Sequence, residues 1–282
     1  MAIAGGANDA RESRREGLQM TSEWNAAGYE RISGLQQVMA HEALALLTLQ
    51  GAERVLDVGC GQGRITAQIA ERVPLGSVVG VDPSRDMIDY ATTHFATSHA
   101  NLRFDVADSR VLAFNAEFDV IVSFNALHWV PEQDQALQSI RRAIRTQGRA
   151  LLRLVTMGEC KSLETVVEET RAAPRWQPAF AGFTDPYLRL TPAQYRAAAV
   201  RNGFRVLQQD CASKAWDFGS RDAFFAFCAV GLVAWTSRLP EADRAAFIDD
   251  VLDRYAASAA ANAATRNTFR FYQMDVTLVP DA

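Results

Sequence analysis

The residues best suited to ligand chemistry form a short glycine-rich segment, VLDVGCGQG, at residues 55–63. Glycines at alternate positions leave no side chains in the way, so a ligand can lie flat against this turn. The spacing differs from the G-x-G-x-x-G pattern of dinucleotide-binding folds, in which backbone N–H groups meet a pyrophosphate at a helix N-terminus. Asp57 is placed to orient the turn and to favour a cation such as an ammonium group. A ligand with a positive amino-acid end and an adenosine therefore fits better than a dinucleotide.

Two further aspartates follow later strand candidates. Asp82 ends the run VVGVD, where a carboxylate can accept hydrogen bonds from ribose hydroxyls, as in dinucleotide folds. Asp108 follows the third strand candidate and can accept a bond from an adenine amino group, while Met87 can cover the adenine face. Each aspartate alone is more often a helix cap or a turn residue. Their order on successive strand ends favours a ligand site, because open α/β sheets bind ligands at the carboxyl ends of strands.

The pair His128-Trp129 follows the fourth strand candidate, at the mouth of the predicted ligand crevice. A lone histidine is as often structural as functional here, and two functional roles stay open. His128 can donate a hydrogen bond to a carboxylate, or accept a proton from a hydroxyl, because the unperturbed pKa of histidine is ~6.5. Trp129 belongs either to the core or to the site, where a substrate oxygen would satisfy its indole N–H.

The elements that must position these residues alternate along the chain. Short β-branched runs predict strands at Arg54–Val58, Ser77–Val81, Leu102–Val106, Phe118–Phe124 and Ala150–Val155. Amphipathic stretches between them predict helices that begin near Gly63, Ser84 and Pro131, with Pro131 at a first helical position. Such alternation implies βαβ units and a parallel sheet covered on both faces.

The second half of the chain predicts a helix from Pro192 to Asn202, then strands at Phe204–Gln209 and Thr268–Val279 as an antiparallel edge pair. That makes about seven strands. Segments 158–190 and 217–262 break the alternation, and we interpret them as helical insertions whose aromatic residues either bury the insertion or line a pocket. The expected organisation is a disordered tail at 1–20 and a single domain at 21–282, with cap elements near 21–45, 158–190 and 217–262.

Composition narrows the class of protein. The 282 residues are 49% hydrophobic and carry a net charge of -4, which fits a globular protein and argues against nucleic acid as the main partner. No run approaches the ~20 apolar residues of a membrane span. The four cysteines include no C-x-x-C pair, which argues against a zinc site. We therefore expect a cytoplasmic protein with reduced thiols and no metal.

These motifs resemble those of the class I S-adenosylmethionine-dependent methyltransferases over roughly residues 21–280. VLDVGCGQG looks like their first motif, VVGVDPS their second, FDVADS their adenine-contacting turn and FDVIVSFNALHWV their fourth strand. The resemblance implies a Rossmann-like seven-stranded sheet in the order 3-2-1-4-5-7-6, with S-adenosylmethionine as cofactor and S-adenosylhomocysteine as its product. The cofactor-binding residues it implies are Tyr29, Asp57, Gly59, Cys60, Gly61, Asp82, Pro83, Met87, Asp108, Ser109 and Asn125.

The resemblance can be narrowed to the group that includes trans-aconitate methyltransferase and juvenile hormone acid O-methyltransferase. In that group an N-terminal tyrosine, which Tyr29 matches, helps to close over the cofactor. Gln36 and Trp129 match the residues that hold a substrate carboxylate. The long N-terminal tail and the Pro-rich insertion depart from the pattern.

Four functions compete at this stage. The first is methylation of a small organic acid to a methyl ester, which needs no base because a carboxylate is ionised at neutral pH. The second is O- or C-methylation of a natural-product or polyketide intermediate, with His128 as general base. The third is a non-catalytic cofactor-binding protein. The fourth, a dinucleotide-dependent oxidoreductase, is disfavoured by the glycine spacing and by the lack of a Tyr-x-x-x-Lys pair.

Overall fold

The computed structural model describes residues 26–188, 190–258 and 265–281, without the side chains of residues 26–33 and 36. The predicted tail at 1–20 lies outside the described residues, as do the side chains of Tyr29 and Gln36. None of the described helices is long and apolar enough to cross a membrane.

Strands and helices alternate as the sequence predicts. The strands are β1 (Arg54–Val58), β2 (Ser77–Asp82), β3 (Leu102–Val106), β4 (Phe118–Phe124), β5 (Ile144–Thr156), β6 (Phe204–Asp217) and β7 (Thr268–Pro280). The helices are α1 (Ala26–Leu46), α2 (Arg64–Arg72), α3 (Arg85–Phe95), α4 (Gln133–Ala143), α5 (Leu163–Arg171), α6 (Pro192–Arg201), α7 (Arg221–Gly231), α8 (Val233–Thr236) and α9 (Glu241–Ser258). Short 3-10 helices include Ser109–Val111 and Leu127–Trp129.

The seven strands form one sheet in the order β3-β2-β1-β4-β5-β7-β6, which confirms the predicted topology. β1 pairs in parallel with β2 and β4, β2 with β3, and β4 with β5. β7 runs antiparallel to β5, with Gln273 opposite Val155. The carboxyl ends of β1, β2 and β4 therefore meet at one edge of the sheet, where the predicted site residues follow them.

Alternate residues of the central strands enter two separate apolar clusters. Leu56 and Val58 of β1 pack in a cluster with Leu137 of α4, whereas Val55 packs in the other cluster with Ile69 of α2 and Ile88 of α3. Successive side chains of a strand point to opposite faces, so helices cover both faces of the sheet. Each fully buried aliphatic side chain contributes ~1.5–3 kcal/mol, and this is why these strands are apolar on both faces.

Three predicted boundaries are clearly wrong, and one of them is the end of β6, which lies at Asp217 rather than Gln209. β5 begins at Ile144 rather than Ala150, because its first polar residues bond to neighbours instead of being buried; Arg145, for example, pairs with Asp119. Pro131 is not the first residue of a helix, since α4 begins at Gln133 with Glu132 as its N-cap. The start of α6 agrees with the sequence, and Thr191 caps it in a reciprocal pair with Gln194.

Where it is described, the chain divides into two compact units. The first comprises the described residues within 38–168, 182–215 and 270–281, and it holds the central part of the sheet. The second comprises the described residues within 26–37, 169–181 and 216–269, which overlap the three segments predicted to form a cap. In the second unit, Phe247 is fully buried and packs edge-on to Trp176, 5.3 Å between ring centroids. These aromatic residues bury the insertion itself, and its role as a cap stays a prediction.

Candidate ligand and acceptor site

The glycine-rich turn between β1 and α2 needs glycine for its backbone. Gly59, Gly61 and Gly63 have φ angles of 78°, 52° and 79°, in the left-handed region that favours glycine. The backbone N–H groups of Gly59 and Cys60 both donate to the carbonyl of Val81, at 2.8 and 3.0 Å. A Cβ on Gly59 would overlap the Cβ of Ala126, whereas a Cβ on Gly61 would meet no atom within 4 Å. The turn therefore packs tightly at its base and faces open space at Gly61.

Asp82 fastens this turn to the end of β2. Its Oδ2 accepts the backbone N–H of Gly61 at 3.0 Å, and its Oδ1 accepts that of Ser84 at 2.9 Å. Each carboxylate oxygen has about two acceptor positions, so one on each oxygen remains for a ligand hydroxyl. Asp82, which the sequence predicts to bind a ribose, thus also holds the glycine turn. The sequence predicts that role for Asp57.

Asp57 lies under the turn and is only 3% exposed. Its Oδ2 accepts a hydrogen bond of 2.7 Å from the hydroxyl of Thr66 on α2. Burial raises the pKa of Asp57 to about 7; the Thr66 hydrogen bond opposes the rise and the charge of Asp82 adds to it. A carboxyl group with this pKa is poised to ionise when a cation approaches.

Cys60 lies beside these carboxylates in the turn. Burial, together with the negative charges of Asp57 and Asp82, raises the pKa of the Cys60 thiol. The thiol therefore stays protonated at neutral pH and is no nucleophile.

The second and third motifs lie at the neighbouring strand ends. Ser84, where the sequence predicts the start of a helix, caps α3 by accepting the backbone N–H of Met87. Pro83 is exposed, and Met87 has 39% of its surface exposed. Asp108 caps the 3-10 helix that begins at the buried Ser109.

Arg110 donates hydrogen bonds to both oxygens of the Asp108 carboxylate. Its backbone N–H donates to Oδ1 at 2.9 Å, and its guanidinium donates to both oxygens, with Nε at 3.0 Å from each. These hydrogen bonds to Arg110 hold the pKa of Asp108 below its usual value. An adenine amino group at this position would have to share the oxygens with Arg110.

Asn125 follows β4 with a φ of 59°, left-handed although it is not glycine. Its backbone N–H donates to the carbonyl of Arg153 on β5 at 2.8 Å. Its Oδ1 accepts a hydrogen bond of 3.1 Å from Nε2 of Gln273 on β7, and the same Nε2 donates to the carbonyl of Leu154 at 3.0 Å. The buried Gln273 is a residue that the sequence did not single out.

His128 is buried, with 5% of its surface exposed. The backbone N–H of Val155 donates to its Nδ1 at 3.2 Å, so the neutral ring carries its proton on Nε2. Burial lowers the pKa of His128 to about 3. The ring is therefore a neutral hydrogen-bond donor at physiological pH.

Aromatic rings surround this histidine. The ring of Tyr187 lies 5.1 Å from that of His128 and 4.9 Å from that of Trp129, edge-on to the latter. Trp129 keeps 38% of its surface exposed. Gln133, also missed by the sequence, donates from Nε2 to the carbonyls of Leu127 and Val130 at 2.6 and 2.7 Å. These bonds close the 3-10 turn that carries the His-Trp pair.

Two cavities are large enough to be of interest. One of about 170 Å³ adjoins the His128 cluster, with Val155 and Tyr187 among its lining residues. The other, of about 520 Å³, lies between the start of α4 and α6, with Asp134 and Arg201 on its wall. None of the predicted site residues lines the larger cavity, so its size alone does not mark the ligand site.

The structure thus brings together Asp57, Gly59, Cys60, Gly61 and Asp82 around one turn, with Ala126 packed on its base. Tyr29 and Gln36 lie on α1, and their side chains are outside the description. Among the described residues, no group of three or more His, Cys, Asp or Glu side chains is arranged to hold a metal ion.

Comparison with known proteins defines the class. The family described as "Methyltransferase domain" matches residues 55–148, from the glycine turn into β5. Malonyl-[acyl-carrier protein] O-methyltransferase of Geobacter sulfurreducens is 30% identical over 65% of this chain and 68% of its own length. Trans-aconitate 2-methyltransferase of Deinococcus radiodurans is 29% identical over 80% of this chain and 87% of its own length.

A solved structure shares the fold of this chain. The YcgJ protein of Bacillus subtilis superposes with a TM-score of 0.60 at 16% identity, covering 87% of this chain and 99% of the other. At that identity the likeness shows the fold alone. Together with the relatives above, it confirms the resemblance drawn from the motifs. The chain belongs to the class I S-adenosylmethionine-dependent methyltransferases, in the group with the trans-aconitate and malonyl-[acyl-carrier protein] enzymes.

Proposed function

We propose that this methyltransferase transfers the methyl group of S-adenosylmethionine to a carboxylate oxygen of a small organic acid, giving a methyl ester. S-adenosylmethionine supplies a methyl group that is already electrophilic because it is bound to a sulfonium. A carboxylate, with an unperturbed pKa of ~4, is already a nucleophile at neutral pH. The protein needs only to orient the acceptor and strip water from it, and such positioning is worth up to ~7–11 kcal/mol in the best cases.

One observation carries the choice of acceptor. His128 is buried, accepts the backbone N–H of Val155 on Nδ1, and has its pKa lowered to about 3 by burial. A general base works best when its pKa lies near the operating pH, so a group with this pKa is poorly suited to deprotonate a hydroxyl or a carbon acid. The Nε2–H group instead suits an acceptor that arrives as an anion. This favours the carboxylate over the hydroxyl or carbon acceptor.

The cofactor role of the first motif is part of the proposal. The open face of the turn at Gly61 leaves room for a ligand, and Asp57 beneath it favours a cation. Asp82 keeps one acceptor position on each oxygen for ribose hydroxyls while it holds the turn. Met87, Pro83, Asp108 and Ser109 form the adenine end, and Asn125 the amino-acid end. Tyr29 closes over the cofactor.

The acceptor carboxylate is held, in this proposal, by Gln36, Trp129 and Nε2–H of His128. Two relatives are named for trans-aconitate and malonyl-[acyl-carrier protein], both of which carry carboxyl groups. The net charge of -4 fits a small-molecule acceptor rather than a nucleic acid. We also propose that the reaction needs no metal and takes place in the cytoplasm.

A panel assay tests the proposal. The purified protein is incubated with S-adenosylmethionine carrying a labelled methyl group and with matched sets of acids, phenols, alcohols and amines. We expect label in a base-labile ester of one or more acids, and none with the amide of the same acid. Label transferred only to phenols, alcohols or carbon positions would overturn the carboxylate assignment. Asp82→Ala serves as a control in which transfer to every acceptor should fall.

A further inference from the structure

The amide of Asn125 is held in one orientation by a side chain from a distant strand. Gln273 on β7 is 2% exposed and donates both of its Nε2 hydrogens, one to Oδ1 of Asn125 at 3.1 Å and one to the carbonyl of Leu154 at 3.0 Å. The Leu154 carbonyl fixes which end of the Gln273 amide is the donor, because a carbonyl only accepts. Oδ1 of Asn125 must therefore face Gln273, and its Nδ2 must face the other way.

Asn125 lies one residue from the base of the glycine turn. Ala126, the next residue, packs against Gly59 at the base of the glycine turn. The left-handed φ of 59° and the bond from the Asn125 N–H to the Arg153 carbonyl fix the backbone at this point. Among the described residues, none accepts a hydrogen bond from Nδ2, and Asn125 is only half-buried. An oriented donor beside the turn suits an anionic oxygen of a bound ligand.

We propose that Gln273 is a positioning residue that turns the Asn125 amide so that Nδ2 donates to a ligand carboxylate. This inference rests on the proposed function, and it adds a residue and a ligand group to it. The carboxylate belongs either to the amino-acid end of the cofactor or to the methyl acceptor. Both present the same chemistry to Nδ2, and the experiment separates them.

The experiment measures binding by calorimetry, with S-adenosylhomocysteine and 5′-methylthioadenosine as probes. The second probe keeps the adenosine and the sulfur but lacks the amino-acid end. Gln273→Met introduces an apolar side chain of similar length and removes both hydrogen bonds. Asn125→Gly deletes the amide and keeps the backbone, because glycine adopts a positive φ without strain. The double variant completes a cycle, since a residue that acts only through Asn125 adds nothing once the amide is gone.

If the carboxylate is that of the cofactor, each single variant weakens S-adenosylhomocysteine binding by ~10-fold or more. Binding of 5′-methylthioadenosine stays the same, and the double variant is no weaker than Asn125→Gly. If the carboxylate is that of the acceptor, both probes bind as in wild type, while the acceptor KM rises ~10-fold with the same non-additivity. Either pattern supports the role of Gln273.

Three results would overturn it: equal loss of both probes, a double variant in which the losses add, or wild-type binding and kinetics throughout. Gln138→Met is the matched control, because Gln138 also donates from Nε2 to the Oδ1 of an asparagine, Asn202, at 3.0 Å. It should leave both probes unaffected. Should Gln273→Met fail to fold, Gln273→Leu takes its place in the same cycle, because leucine also lacks a hydrogen-bond donor. A wild-type protein that binds neither probe would instead contradict the proposed cofactor site.

Discussion

The backbone N–H of Val155 on β5 donates a hydrogen bond of 3.2 Å to Nδ1 of His128. Val155 belongs to the sheet and His128 to the 3-10 turn after β4. This bond therefore fixes the turn that carries His128 and Trp129 to the sheet. It also commits Nδ1 as an acceptor and leaves the proton on Nε2. With its pKa lowered to about 3 by burial, the ring remains neutral throughout the usual assay range.

Replacing His128 should therefore have a modest effect on the methyl transfer rate. In His128→Phe the ring volume is kept and one neutral hydrogen bond to the acceptor is lost, worth ~0.5–1.5 kcal/mol or up to about 10-fold in rate. We expect kcat/KM to fall by no more than that, with the same pH profile as wild type between pH 6 and 9. A loss of ~100-fold or more would identify His128 as a general base and promote hydroxyl or carbon methylation.

Cofactor affinity should depend on pH through Asp57. Its pKa of about 7 means that the protonated form predominates below neutrality, and each pH unit below the pKa lowers the ionised fraction by up to ~10-fold. A cationic ligand binds the ionised form better, so affinity for S-adenosylmethionine should rise as the pH increases from 5.5 to 7.5. Calorimetry at several pH values checks this. Asp57→Asn should abolish the dependence, and Asp86→Asn, on the exposed first turn of α3, should keep it.

Asp82→Ala should weaken cofactor binding. The substitution removes the acceptor for the Gly61 N–H and that proposed for the ribose, a loss of ~1–3 kcal/mol or about 5- to 150-fold in Kd. Ser84→Ala serves for comparison, since it deletes the α3 cap and leaves the acid in place. That variant should lower the free energy of unfolding by ~1 kcal/mol without a similar loss of affinity. Equal affinities for wild type and Asp82→Ala would contradict the assignment of Asp82.

Replacing Gly59 or Gly61 of the turn by alanine should lower the free energy of unfolding by different amounts. Gly61→Ala places a left-handed residue in open space and should cost ~1–2 kcal/mol of unfolding free energy. Gly59→Ala suffers the same backbone strain and also overlaps Ala126, so its cost should be larger. Adding Ala126→Gly to Gly59→Ala should recover the excess. Urea denaturation measures all four proteins, and no recovery in the double variant would show that Ala126 is not the obstacle.

Much of the fold could be predicted from local pattern. β1, β3 and β4 have the predicted bounds, because consecutive or alternating apolar residues mark each strand and a turn follows it. β6 extends to Asp217 rather than Gln209, since an edge strand is mostly exposed and its hydrogen bonds leave little trace in hydrophobicity. The start of β5 was missed for a similar reason.

The candidate site was predictable only in its local parts. The glycine spacing and Asp82 are close in sequence, and their contact follows from the order of strand ends. The pairing of Asn125 with Gln273 joins two elements that no spacing rule connects. The pKa of His128 depends on its burial, which cannot be read from the residue type alone. Such features arise from packing of the whole sheet, so sequence reasoning could name the histidine but not its protonation.

The bond between Asn125 and Gln273 spans 148 residues, whereas the bond between Gly61 and Asp82 spans 21. Contacts between distant segments cost more loop-closure entropy and form more slowly than local ones. During refolding, the bond between Gly61 and Asp82 should therefore form before the bond between Asn125 and Gln273. We expect a diluted, unfolded chain to recover 5′-methylthioadenosine binding first and full S-adenosylhomocysteine affinity only after β7 has entered the sheet. The delay between recovery of the two binding activities would then measure the rate of the last step of folding.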